Sequence, residues 1–65
     1  MRLYKLELGG LDETLEIVLD LDEIESLHPV EVKGITYTVI NTKSKSLWVV
    51  KKSLNEMVRI WMETS

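Results

Sequence analysis

Apolar and polar residues alternate along most of this chain, and the period changes near its end. Over residues 3–8, Tyr4, Leu6 and Leu8 fall on one side and Leu3, Lys5 and Glu7 on the other, the mark of a strand with one wet face. Gly9-Gly10 closes that run, and 11–14 reads as a polar turn. Residues 15–21 alternate again, with Leu15, Ile17, Leu19 and Leu21 inward and Glu16, Val18 and Asp20 outward. The two runs are close enough in sequence to form a hairpin.

The segment Asp20-Leu21-Asp22-Glu23-Ile24 admits two readings. Its acids can open a single helical or 3₁₀ turn before a strand resumes over 24–27. They can also start a helix over 22–28 that stops before Pro29. The turn is preferred, because seven residues make a poor helix. His28-Pro29 then predicts a break, and 30–34 a connector or short extra strand turning at Lys33-Gly34. Residues 35–42 alternate strongly, with Ile35, Tyr37 and Val39 against Thr36, Thr38 and Ile40. A polar turn follows at 41–46, and the apolar run Leu47-Trp48-Val49-Val50 predicts a last strand.

At Ser53 the period becomes helical. Ser53 stands three residues before Glu56, the capping-box spacing. Its oxygen can accept from the N–H of residue 56, and the glutamate can return to the N–H of Ser53. At about 100° per residue, Ile60, Met57, Trp61, Leu54, Val58 and Met62 form one arc of roughly 200°, wider than the ~100° stripe that one contact needs. Such a helix is too short to stand alone and must be held by packing. The whole predicts an α+β domain: a small antiparallel meander of about four strands, covered on one face by a C-terminal amphipathic helix.

Length sharpens the picture. At 65 residues the chain is a single domain, of a size that buries only about 60% of the surface its unfolded form exposes. With no cysteine there is neither a disulfide nor a thiolate metal site. The stabilisation left is an efficient core or self-association, and the wide helical arc favours a dimer. Lack of cysteine fits a cytoplasmic protein. No targeting segment is visible, and no apolar run approaches the ~20 residues of a membrane span, so no membrane insertion is expected.

The net charge of −3 hides an uneven distribution. Between Leu6 and Val32 there is no lysine or arginine, while Glu7, Asp12, Glu13, Glu16, Asp20, Asp22, Glu23, Glu25 and Glu31 all fall there. Either neighbouring strands pair the acidic and basic halves, or the chain carries a true acidic face. In the second case Asp12, Glu13, Glu16, Asp20, Asp22 and Glu23 could present a row of carboxylates that imitates nucleic-acid phosphates to a basic groove.

The chemistry of reactions finds no foothold. The lone His28 has no cysteine partner, and Gly9-Gly10 lacks the lysine and hydroxyl of a phosphate loop. Asp20, Asp22 and Glu23 lack the glycine and the twelfth-position glutamate of a calcium loop. Neither enzymatic activity, nor a cofactor, nor a metal site is expected. Lys43, Lys45, Lys51 and Lys52 around Trp48 could hold a single strand, but the protein is acidic overall and nucleic acid is an improbable partner. The expected function is therefore contact with a protein partner through Met57, Ile60, Trp61 and Met62, with the acidic-surface inhibitor as the alternative.

One resemblance follows. The acidic turn DLDEIESL, the proline break, the strand ITYTVINT and the run Val50-Lys51-Lys52-Ser53-Leu54-Asn55-Glu56-Met57 resemble the small FlbD-like proteins linked to bacterial flagella and swarming motility. Lys52 stands where that family often has glutamate, and Ser44-Lys45 replaces the usual glycine of the preceding turn. The likeness covers about the last two-thirds of the chain. It implies a fold more than a role, and no catalytic residue carries over.

Overall fold

A computed structural model describes residues 1–9 and 14–63. Its first hairpin follows the alternation. Strand β1 (Leu3–Glu7) pairs antiparallel with β2 (Glu16–Asp20). Tyr4 lies opposite Leu19 and Leu6 opposite Ile17, so the apolar sides of both strands coincide. Leu6 and Leu19 are buried, while Leu3, Lys5 and Val18 are exposed. Leu15 falls just outside β2 and is exposed rather than inward. The polar turn expected over 11–14 falls, but for Thr14, outside the described residues.

The acidic segment makes the single 3₁₀ turn, Leu21–Glu23. Asp20 caps it by accepting from the Asp22 N–H at 3.0 Å, and Leu21 is driven fully into the core. A continuous strand β3 (Ile24–Val32) follows, with a register shift between Ile24 and Ser26. The break expected at His28-Pro29 does not occur. Strand β3 pairs only with β4 (Ile35–Thr42) and is therefore an edge strand. A proline there can turn its missing donor to solvent instead of interrupting a ladder. His28 is accordingly a mid-strand residue, not a turn residue. The chain reverses at Lys33-Gly34, both at positive φ (51° and 80°), the backbone of a two-residue hairpin loop.

Strand β5 (Leu47–Val50) completes a three-stranded sheet of order β3-β4-β5. The α+β fold that the sequence predicts is thus present, with five strands in two antiparallel sheets among the described residues, slightly more than its expected count of about four. The sheets are stitched where the tail of β1 meets β5. Leu8 bridges Val50, the Gly9 N–H donates to the Val49 carbonyl at 2.9 Å, and the Lys51 N–H donates to Glu7 at 3.0 Å. Gly9 is buried against the Tyr37 ring, where a Cβ would stand 2.6 Å from Cε1. Only glycine lets the backbone come that close.

Helix α1 (Leu54–Glu63) starts at the predicted cap. The Glu56 N–H donates to Ser53 Oγ at 3.2 Å. The glutamate does not return to the Ser53 backbone as a full box requires. Its carboxylate instead accepts from the Ser53 hydroxyl at 3.4 Å and lies 3.7 Å from the Lys52 ammonium, whose charge draws it outward. The helix lies over β3 and β4, and Met57 joins Leu6, Leu19, Leu21, Ile24, Ile40 and Val50 in one buried cluster.

Candidate functional site

Covering by α1 decides which face of the three-stranded sheet is core. Thr38, Ile40 and Thr42 of β4 are buried, with Val50 opposite Thr38 and Leu27 and Trp48 flanking Ile40. The more apolar alternate set of β4 therefore turns away from the helix. Both inward threonines have their hydroxyls satisfied, as burial requires. Thr38 Oγ1 donates to the Lys52 carbonyl at 2.8 Å, next to the helix start. Thr42 Oγ1 accepts from the Ser46 N–H at 3.0 Å inside the following turn. Those two bonds make room for threonine where a pattern of apolar residues predicts none.

The opposite face is the consequence. Residues directly opposite on antiparallel strands share a side, so the register assembles it residue by residue. Ile35 sits across from Val32, Tyr37 from Val30, and Val39 from His28 on one flank and Val49 on the other. Asn41 sits between Ser26 and Leu47. Ile35 is 55% and Leu47 60% exposed, and Val32 is exposed too, with the other apolar members half-buried. No Asp, Glu, Lys or Arg stands among these residues, in a chain of which such residues make up 29%. The polar members are gathered at one end. Asn41 Nδ2 donates to Ser26 Oγ at 3.3 Å, and that oxygen lies 3.2 Å from His28 Nε2. No carboxylate bonds the imidazole among the described residues, so the trio lacks the orienting acid of a nucleophilic site.

The helix residues singled out in the sequence divide. Met57 is fully buried and belongs to the core. Ile60 and Trp61 are half-buried and pack against that core. Met62 is 71% exposed and, with Val58, forms the outer edge of the arc. The width of the arc is thus mostly consumed inside the molecule, and the larger apolar surplus lies on the sheet. Val30, Val32, Ile35, Tyr37, Val39, Leu47 and Val49 were all missed as site residues. The signal that could have found them is parity: Asn41 and Thr42 cannot share a face, and Thr42 begins the turn.

The acidic candidates are drawn into structure. Asp12 and Glu13 lie outside the described residues. Glu16 is 3.9 Å from Lys5. Asp20 accepts from the Arg2 N–H at 3.1 Å, and Asp22 from Arg2 Nε at 2.7 Å and lies 3.4 Å from the terminal ammonium. Arg2 Nη1 also donates to the Trp61 carbonyl at 2.8 Å, so one guanidinium ties the 3₁₀ turn to the last turn of α1. A cation there also suits the helix dipole. The Arg2 backbone N–H, then the Asp22 N–H, holds Asp20 below its ordinary pKa. The side-chain bond from Arg2 does the same for Asp22. Glu23 is exposed and makes no ion pair among the described residues.

An open depression of about 360 Å³ is lined by Lys5, Glu7, Glu16, Lys51, Lys52 and Glu56. Its charges alternate and pair: Lys51 with Glu7 at 3.4 Å, the other two pairs as above. Such exposed pairs contribute little stability and leave no net charge to attract a ligand. Trp48, the proposed stacking platform for a nucleic-acid strand, packs against the core. No group of three or more potential metal ligands occurs among the described residues. Nor, among them, is any helix long and apolar enough to cross a membrane. No family model, no curated protein and no solved structure matches this chain.

Proposed function

We propose that this chain is a binding module that acts by contact with protein, and that its contact surface is the outer face of the three-stranded sheet. The observation that carries this reading is an uncharged, largely apolar face built by Val30, Val32, Ile35, Tyr37, Val39, Leu47 and Val49, left uncovered while the helix occupies the other side. Interface centres are depleted in charge in the same way, and contiguous apolar patches on small proteins are commonly functional. Met62 and Val58 form a lesser patch, to which Trp61 contributes only its outer part. The likeness to FlbD-like proteins is in keeping with an accessory role exercised by contact, in a reducing compartment such as the cytoplasm. The acidic-surface alternative loses ground because Arg2 and Lys5 engage Asp20, Asp22 and Glu16.

The test uses the immobilised chain and extract of its source cell. Capture of a protein by the wild type is expected to survive a rise to physiological salt and to be lost in Ile35→Asp and Leu47→Asp. It is expected to persist in Met62→Asp. Capture that collapses with salt, or that only Met62→Asp abolishes, would overturn the assignment to the sheet.

A further inference from the structure

We propose that the free edge of β3 docks an extended, basic segment of a partner protein, which adds to the sheet as a further strand. The site is separate from the outer face, and either can fail without the other.

The backbone gives the first argument. Lys33 and Gly34, both at positive φ, make a two-residue loop, and the residues that flank such a loop exchange both ladder bonds. Here they are Val32 and Ile35. Bonded and non-bonded pairs alternate along antiparallel strands. Val30 and His28 therefore also bond inward, to Tyr37 and Val39, while Leu27, Pro29 and Glu31 turn their backbone groups outward. Pro29 checks this parity, since the residue that lacks an N–H falls on an outward position. Strand β3 pairs with β4 alone. Among the described residues nothing bonds the N–H of Leu27 or Glu31, or the carbonyls of Leu27, Pro29 and Glu31. Pro29 and Glu31 are exposed and Leu27 is half-buried. Such a row is a template for one more strand.

Charge chooses the occupant. Strand β3 holds no lysine or arginine, and it carries Glu25 and Glu31. Both are exposed and make no ion pair among the described residues. Glu31 shares a side of the strand with Leu27 and Pro29. A cation on the incoming strand, opposite or diagonal to Glu31 on that side, gains a partner there, and an acid is repelled. Alternate residues of the same strand fall beside His28 and Val30, which are uncharged, so the segment that fits alternates basic with uncharged residues. A second copy of β3 fits poorly, since it brings its own carboxylates and a second missing donor.

A ladder this short binds weakly, and a peptide probe is expected to dissociate at about 0.1–1 mM. The probe is a capped peptide of about eight residues alternating lysine with threonine, added to the ¹⁵N-labelled full chain. It is expected to move the amides of Leu27 and Glu31. A peptide with glutamate for lysine, and one N-methylated at every residue, are expected to move neither. Circular dichroism confirms that each variant is folded. Glu31→Lys is expected to weaken binding about five-fold. Pro29→Thr supplies the missing N–H and is expected to strengthen it about three- to ten-fold. Leu47→Asp, on the far strand of the sheet, is expected to leave the probe bound, so the edge and the outer face are read separately. Amides of Leu27 and Glu31 that stay in place at about 5 mM probe would overturn the proposal. So would equal binding of the N-methylated peptide, or a Pro29→Thr variant that binds no more tightly.

Discussion

Single residues carry two backbone requirements that the sequence shows only in part. Gly9 is buried beneath the Tyr37 ring, and a methyl group there meets ring carbon rather than a movable side-chain tip. Gly9→Ala is expected to cost about 1–3 kcal/mol by forcing the ring and backbone apart. Urea denaturation checks it, and an unchanged midpoint would show that Tyr37 yields freely. Lys45 is the converse case. It holds φ 71°, donates its N–H to the Thr42 carbonyl at 3.0 Å, and so occupies the left-handed position of a three-residue hairpin loop. A β-carbon is disfavoured there, and Lys45→Gly is expected to stabilise by about 1 kcal/mol. A rise in melting temperature would register this, and a fall would mean that the lysine side chain compensates. The glycine missing from this turn was visible in the sequence; that Lys45 would bear the strain was not.

At the scale of elements, legibility follows whether an element's two faces differ. The first hairpin could be read because Tyr4, Leu6, Ile17 and Leu19 stand apart from Lys5, Glu7 and Glu16. The start of α1 could be read because Ser53 and Glu56 act locally. Strand β4 could be read in its span, Ile35–Thr42, but not in which face turns inward, because its buried threonines owe their burial to the Lys52 carbonyl and the Ser46 amide, bonds fixed only by folding. Strand β3 hid behind Pro29, since its edge position depends on the whole sheet. Arg2 escaped notice for the same reason: its partners lie 18, 20 and 59 residues away. That clasp has a measurable sign. Asp20 and Asp22 sit below the ordinary value of 3.8 when folded. Their contribution is therefore complete above that pH and is lost as pH falls through the lower folded values. Melting temperature is expected to drop between about pH 4 and pH 2, and to drop less in Asp22→Asn. An identical acid profile for the two proteins would show that the Arg2–Asp22 pair contributes nothing to the acid dependence of stability.

Among the described residues the molecule is two sheets joined at one corner, with a helix that covers one side of the larger sheet, while the other side keeps a partly exposed apolar face on which the Tyr37 ring lies over Gly9. The expectation of surplus apolar surface came from the helix, yet Met57 is spent inside and Trp61 largely so. Turning the threonines of β4 inward moved the surplus to Ile35, Tyr37 and Val39. Addition of the captured protein partner to uniformly ¹⁵N-labelled chain, followed by amide shifts, addresses this most directly. It should move the amides of Val30, Val32, Ile35, Tyr37, Val39, Leu47 and Val49 and leave those of Val58 and Met62 in place. Shifts confined to the helix, or no shifts at all, would contradict the account.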